Sequence, residues 1–164
     1  GAQSHVSAQI HGGGHERGMR SGTLPTHQIV GMGRAFDIAA ERLTEEQERL
    51  ETLRLQFLRG LEELDDVAVN GSEGFRVPGI INLAFDGVDA ESLMLGLRDL
   101  AVSSGSACSS ATVEPSFVLR GIGLTDQRAH QSLRFSLGRY TTSEEVEFSA
   151  SQIVDAVSRL RAVR

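Results

Sequence analysis

The chain contains no lysine, since all sixteen basic residues among its 164 are arginines. A lysine amine forms Schiff bases, holds phosphates in P-loops and acts as a base in many enzymes. None of these mechanisms can therefore be carried by a lysine of this chain.

Other features are scarce as well. The only cysteine is Cys108, which excludes an internal disulfide and every multi-cysteine metal site. The net charge of −6 and the scattered arginines argue against a nucleic-acid partner. No apolar run has the length of a membrane span, and the first residues lack the pattern of a signal peptide. With 40% hydrophobic residues, we expect a soluble, cytoplasmic globule without a membrane partner.

The first third of the chain divides into a loop and a long helix. Residues 1–25 are too glycine-rich for a regular element, whereas 26–64 carry two successive apolar stripes at helical spacing. Thr44 is followed three residues later by Gln47, the pattern of a helix-capping box. The sequence therefore predicts that the helix bends or restarts at Thr44, where we set a domain boundary.

Strands and helices follow one another in the rest of the chain. The sequence predicts strands at 67–69, 80–85 and 133–137. It also predicts a helix over 89–101, a short helix from Pro115, and a last helix capped by Thr142 and Glu145. Long helices with a few strands are typical of an α+β layer domain.

Cys108 lies among small and hydroxyl-bearing residues, over 103–111. A lone cysteine is more often a small buried hydrophobic residue, but these polar neighbours favour an exposed loop. Such a cysteine suits chemistry in which sulfur attacks in one place and is delivered in another. A phosphatase-type site is excluded, because Glu114 stands where that chemistry needs an arginine.

Two arginines border the strand over 133–137. Arg134 and Arg139 are by default surface salt-bridge residues, but the strand and the turn at Gly138 hold them rigidly. A rigid guanidinium can clamp a substrate carboxylate through two hydrogen bonds.

The first loop combines glycines, histidines and hydroxyls. Its backbone amides could approach an anion, to which the Thr23 hydroxyl would add a donor, although a glycine run is more often a hinge. His11 and His15 are separated by glycines rather than placed on one helix face, and no third ligand is evident. We therefore expect no metal site.

Three segments together resemble one family. The segments are HGGGHERGMRSGT at 11–23, SSGSAC at 103–108 and RFSLGR at 134–139. In order and interval they are similar to the NifS/IscS-type cysteine desulfurases, class-V aminotransferase-like enzymes that use pyridoxal 5'-phosphate. The resemblance implies the end of an α/β large cofactor domain over 1–43. It further implies, over 44–164, the small α+β C-terminal domain of a fold-type I pyridoxal-phosphate enzyme.

The resemblance also implies the roles of individual residues. Cys108 matches the nucleophile that takes sulfur from L-cysteine, becomes a persulfide and leaves L-alanine. Arg134 matches the arginine that binds the substrate carboxylate. Thr23 matches a threonine that donates to the cofactor phosphate across a homodimer interface. The loop around Cys108 matches one that delivers sulfur to an iron–sulfur scaffold or another acceptor protein.

The chain departs from the family at both ends. The Schiff-base lysine and the residues that contact the cofactor ring belong upstream of residue 1, and the family continues beyond Arg164. We therefore expect the isolated chain to be inactive and without covalently bound cofactor. Two alternatives stay open: a non-enzymatic sulfur carrier or interaction module that pairs with a separate large-domain chain, and a selenocysteine lyase. The resemblance assigns no role to His11, His15 or Arg139.

Overall fold

The computed structural model describes residues 7–104 and 114–163, which form two compact units. The chain divides into these units between Leu43 and Thr44, where the sequence analysis sets a boundary. The assignment of these units to a large and a small domain stays a prediction.

Helix α1, Thr26–Arg59, is continuous through this border. The predicted restart at Thr44 is therefore wrong. Thr44 and Gln47 are exposed in the middle of the helix, where solvent satisfies their side chains and no free helix end exists for them to cap. The helix also ends earlier than predicted, because the chain turns after Arg59 and residues 60–64 form turns.

A three-stranded antiparallel sheet forms the centre of unit 44–164. Its strands are β1 (Val67–Val69), β2 (Ile80–Phe85) and β3 (Ser132–Ser136), in the order β1-β2-β3. The three predicted strands are thus confirmed, the last with a shift of one residue. Side chains alternate along β2 and β3, which gives the sheet one apolar face and one more polar face.

The apolar face of the sheet is buried against helices. Helix α2 is Ala90–Gly96, and α5 is Ser143–Ala162. The core between this face and the helices contains Leu53 and Phe57 of α1, Ile81, Leu83 and Phe85 of β2, Leu93 of α2, Leu133 and Phe135 of β3, and Val146, Ile153 and Val157 of α5. The predicted α+β layer arrangement is therefore observed in this unit.

Side-chain caps begin the helices of this unit. Thr142 and Glu145 form the predicted capping box of α5, since each side chain accepts a hydrogen bond from the other residue's backbone amide. Ser116 caps α3, Phe117–Gly121, close to the predicted start at Pro115. Helix α4, Asp126–His130, is not predicted by the sequence pattern, and α2 stops well short of residue 101.

The two apolar stripes of α1 differ in burial. Leu53 and Phe57 of the second stripe are buried, whereas several members of the first are exposed in the described structure. The exposed members are Ile29, Val30, Met32, Phe36 and Leu43. Over the described residues, no helix is long and apolar enough to cross a membrane.

Candidate functional site

Arg134 lies on the more polar face of the sheet. Its neighbours in β3, Leu133 and Phe135, are buried in the core, so strand alternation directs the Arg134 side chain to the opposite face, where it is exposed. Asn82 of β2 is its partner in the strand register. The backbone of Arg134 is therefore held in the sheet, while its role in binding a substrate stays a prediction.

The backbone of Arg134 is joined to the start of the cysteine segment. Ser103 N donates to Arg134 O at 3.2 Å, and Arg134 N donates to Ser103 O at 2.7 Å. Two of the three sequence motifs thus meet at this antiparallel bridge. Cys108 itself lies within 105–113, outside the described residues, so its role stays a prediction.

A hydrogen-bond network on the same face was missed by the sequence analysis. Asn70 Nδ2 donates to Asn82 Oδ1 at 2.7 Å and to Ser132 Oγ at 2.9 Å. Ser132 Oγ in turn donates to the carbonyl oxygen of Arg128 at 2.6 Å. Strand alternation could have put Asn82 on the face of Arg134, but nothing in the sequence pairs it with Asn70, which follows β1 at a turn.

Arg139 is held in an ion pair. Its Nε donates to Glu46 Oε2 at 2.9 Å, and this hydrogen bond raises the pKa of Arg139. Beside it, Arg49 donates to the carbonyl oxygens of Gly138, Arg139 and Thr141 at 2.7–2.8 Å. The contacts of Arg49 and the ion pair of Arg139 with Glu46 join the turn after β3 to α1.

In unit 1–43, the glycine-rich loop folds around Ser21, which is buried. Gly14 N donates to Ser21 Oγ at 3.2 Å, and Ser21 N donates to Ile10 O at 3.0 Å. Gly12 has a φ of +152°, and a Cβ there would lie 3.2 Å from Ser21 Cβ. The glycines therefore serve, at least in part, the internal packing of the loop.

Thr23 follows this loop in the same unit, shortly before α1. Its side chain is exposed, and within the described part of the chain its hydroxyl has no hydrogen-bond partner. A hydroxyl in this state can donate to a phosphate oxygen without first losing an internal bond. Thr23 therefore fits a phosphate-bearing cofactor, while the lack of lysine means that this chain cannot form the Schiff base.

Over residues 7–104 and 114–163, no group of three His, Cys, Asp or Glu side chains comes close enough to hold a metal ion. His11 and His15 are both exposed in the first loop.

Comparisons with known proteins agree on one family. A model described as aminotransferase class-V matches residues 3–148. The proteins named cysteine desulfurase IscS of Proteus mirabilis (strain HI4320) and of Methylococcus capsulatus are 56% and 57% identical over 95% and 96% of this chain. The chain spans 39% of the length of each of these two relatives.

A solved structure described as a NifS-like protein is similar in fold. It matches with a TM-score of 0.78 and 31% identity, over 93% of this chain and 39% of that chain. A structure described as DndA from Streptomyces lividans matches with a TM-score of 0.59 and 36% identity, over 79% of this chain and 36% of that chain. The family match covers most of the sequence, and the chain therefore belongs to the class-V aminotransferase family.

Proposed function

We propose that this chain is part of a pyridoxal-phosphate-dependent cysteine desulfurase. In this proposal residues 1–43 end the large cofactor domain and 44–164 form the small C-terminal domain. The complete enzyme converts L-cysteine into L-alanine and a persulfide on Cys108, which supplies sulfur for iron–sulfur clusters. The observation that carries the proposal is the backbone bridge between Ser103 and Arg134, which joins the cysteine segment to a carboxylate-binding arginine.

The bridge limits the distance between the two reacting partners. Five residues lead from Ser103 to Cys108, and an extended chain spans at most about 3.6 Å per residue, or about 18 Å in all. The cysteine therefore stays within reach of a substrate bound at Arg134. In this proposal Cys108 then passes its sulfur to an acceptor protein.

The two side chains have complementary tasks. Arg134 binds the carboxylate of L-cysteine with its forked guanidinium, which fixes the position of the substrate sulfur. The Cys108 thiolate then forms an S–S bond with that sulfur while the C–S bond of the substrate breaks. The bonding pair of the broken C–S bond stays with the carbon, which takes up a proton, so that the carbon fragment leaves as L-alanine and the persulfide remains on the enzyme.

Pyridoxal phosphate, when bound, supplies the electron sink for cleavage of the C–S bond. From this chain, the Thr23 hydroxyl would donate to the cofactor phosphate, from the neighbouring subunit of a homodimer. The covalent anchor has to come from a lysine elsewhere in the complete protein, because this chain has none.

An exposed apolar stripe on α1 supports the presence of a further domain. Met32, Phe36 and Leu43, which share one face of the helix, have 59%, 68% and 55% of their surface exposed in the described structure. An apolar surface of this kind is typical of an interface. We propose that the large domain covers this stripe, and that the cytoplasmic dimer delivers sulfur to scaffold proteins.

The role of Arg134 can be tested in a hybrid enzyme, in which this chain replaces the matching part of the Proteus mirabilis relative. Arg134→Lys should raise the KM for L-cysteine about tenfold or more, because an ammonium cannot reproduce a forked contact with the carboxylate. Steady-state rates of alanine release measure this change.

Arg98→Lys is the matched control for this substitution. Arg98 is exposed in the same unit, with no hydrogen bond or ion pair in the described structure, so its replacement should leave KM unchanged. An Arg134→Lys enzyme with the KM of the parent would remove Arg134 from the substrate site.

A further inference from the structure

Asn82 of β2 is the cross-strand partner of Arg134 in the register of the sheet. The N–H and C=O of Arg134 both bond to Ser103, which lies on the side of β3 away from β2. Arg134 and Asn82 therefore form a pair without hydrogen bonds between them, the type in which opposite side chains lie closest, with Cβ atoms about 4.5–5.5 Å apart. A group bound by Arg134 on this face lies within reach of Asn82.

The hydrogen-bond network fixes the orientation of the Asn82 amide. The carbonyl oxygen of Arg128 can only accept a hydrogen bond, so the Ser132 hydroxyl donates its one hydrogen to it. Ser132 Oγ must therefore accept the hydrogen bond that it shares with Asn70. Asn70 therefore presents its NH₂ group, and Asn82 has to present Oδ1 to it. The orientation of the Asn82 amide thus follows from the carbonyl oxygen of Arg128, through the hydrogen bonds of Ser132 and Asn70.

In this orientation the Asn82 NH₂ group can donate a hydrogen bond to a ligand. The amide is planar, so Nδ2 lies on the side of Asn82 away from Asn70, and β1 and β3 flank β2 on opposite sides. Among the described residues, Asn82 Nδ2 donates no hydrogen bond.

We propose that Asn82 is a second carboxylate-binding residue beside Arg134. Its Nδ2 donates to a carboxylate oxygen of the substrate, while Asn70 holds the amide in the donating orientation. The inference rests on the proposed function, since it assumes that Arg134 binds the substrate carboxylate. It adds a residue that distinguishes a carboxylate from a neutral group at the same position.

The test uses the hybrid enzyme with Asn82→Asp, which keeps the size of the side chain but replaces the donor by a negatively charged acceptor. The KM for L-cysteine should rise about tenfold or more, with kcat at saturation largely retained. Binding of L-alanine and of L-alaninamide, followed by the absorbance of the cofactor, should show that the preference for the carboxylate ligand is largely lost. A purely structural defect would weaken both ligands alike.

A second variant acts on Asn82 from a distance. Asn70→Asp cannot donate to Asn82, so the Asn82 amide should turn its NH₂ group towards the new carboxylate and away from the substrate. The preference for L-alanine over L-alaninamide should fall here too. Ser136→Ala is the control, because Ser136 is exposed on the same face two residues from Arg134 and should leave the preference unchanged.

The outcomes separate this inference from the proposed function. If Arg134→Lys weakens cysteine binding but Asn82→Asp keeps the full carboxylate preference, the role of Asn82 is overturned and that of Arg134 stands. If Arg134→Lys has no effect, the proposed substrate site itself fails. Should Asn82→Asp not fold, Asn82→Ala gives the same ligand comparison, and an unchanged preference there overturns the inference.

Discussion

Arg54 shows how a single charged residue can be buried on a helix that the sequence marks as amphipathic. Only 5% of its surface is exposed, and Glu51, three residues earlier on α1, accepts a hydrogen bond from Nε at 2.8 Å. This hydrogen bond lowers the pKa of Glu51, against the opposing effect of burial, and raises that of Arg54. The hydrogen bonds to Glu51 replace part of the hydrogen bonding to water that the Arg54 guanidinium loses on burial.

This pair predicts a contribution to stability that depends on pH. A carboxyl whose pKa is lowered by folding stabilises the fold above its unfolded pKa, about 4.3, and loses that contribution as pH falls through the lower, folded pKa. Glu51→Gln should therefore reduce the free energy of unfolding at pH 6, and the difference from the parent should shrink below about pH 4.

Urea denaturation at several pH values measures this difference. Glu62→Gln serves as the control, since Glu62 is exposed and makes no ion pair in the described structure. A destabilisation by Glu51→Gln that is equal at pH 3 and pH 6 would contradict an ionic role for the pair.

At the level of elements, the strands were predictable and the short helices were not. VAV and IINLAF are β-branched or apolar runs bounded by turn residues, and both form strands where predicted. Helix α4 has five residues, too few for a helical period to show, although Thr125 caps it through Arg128 N. At Thr44 the sequence has the pattern of a helix-capping box, but the structure has no helix end there, since α1 continues to Arg59.

The close approach of two helices is also invisible in the sequence. Gly60 follows α1 where the chain passes α5, and a Cβ at Gly60 would lie 2.6 Å from Ala150 Cβ. The same holds for the site: alternation predicts the direction of Arg134, but the bridge to Ser103 and the contact with Asn70 join residues far apart in sequence. Such pairs depend on the tertiary fold.

Gly60→Ala should destabilise unit 44–164 by about 1–3 kcal/mol, because the added methyl forces α1 and α5 apart. Thermal unfolding measures the loss. Gly121→Ala is the control, since a Cβ there meets no atom within 4 Å. Ala150→Gly in the same chain as Gly60→Ala should recover part of the stability, and a Gly60→Ala protein as stable as the parent would contradict the close contact.

For the whole molecule, the family and the lack of a Schiff-base lysine could both be predicted, because the motifs are local and the composition is read directly from the sequence. The chain holds the proposed thiol and the proposed carboxylate-binding residues, but no lysine. In the proposed function, a lysine outside this chain completes the site and the large domain covers the exposed stripe of α1. We therefore expect the activity to belong to the assembly of this chain with the cofactor domain.

The most direct test is detection of sulfur on Cys108 after reaction with L-cysteine, by mass spectrometry of the peptide that contains it. The hybrid enzyme should gain one sulfur atom at Cys108 and release alanine, and Cys108→Ser should abolish both while cofactor absorbance is retained. The isolated 164-residue chain should show neither cofactor absorbance nor alanine release. Alanine release by the isolated chain, or an unmodified Cys108 in an active hybrid, would contradict the account.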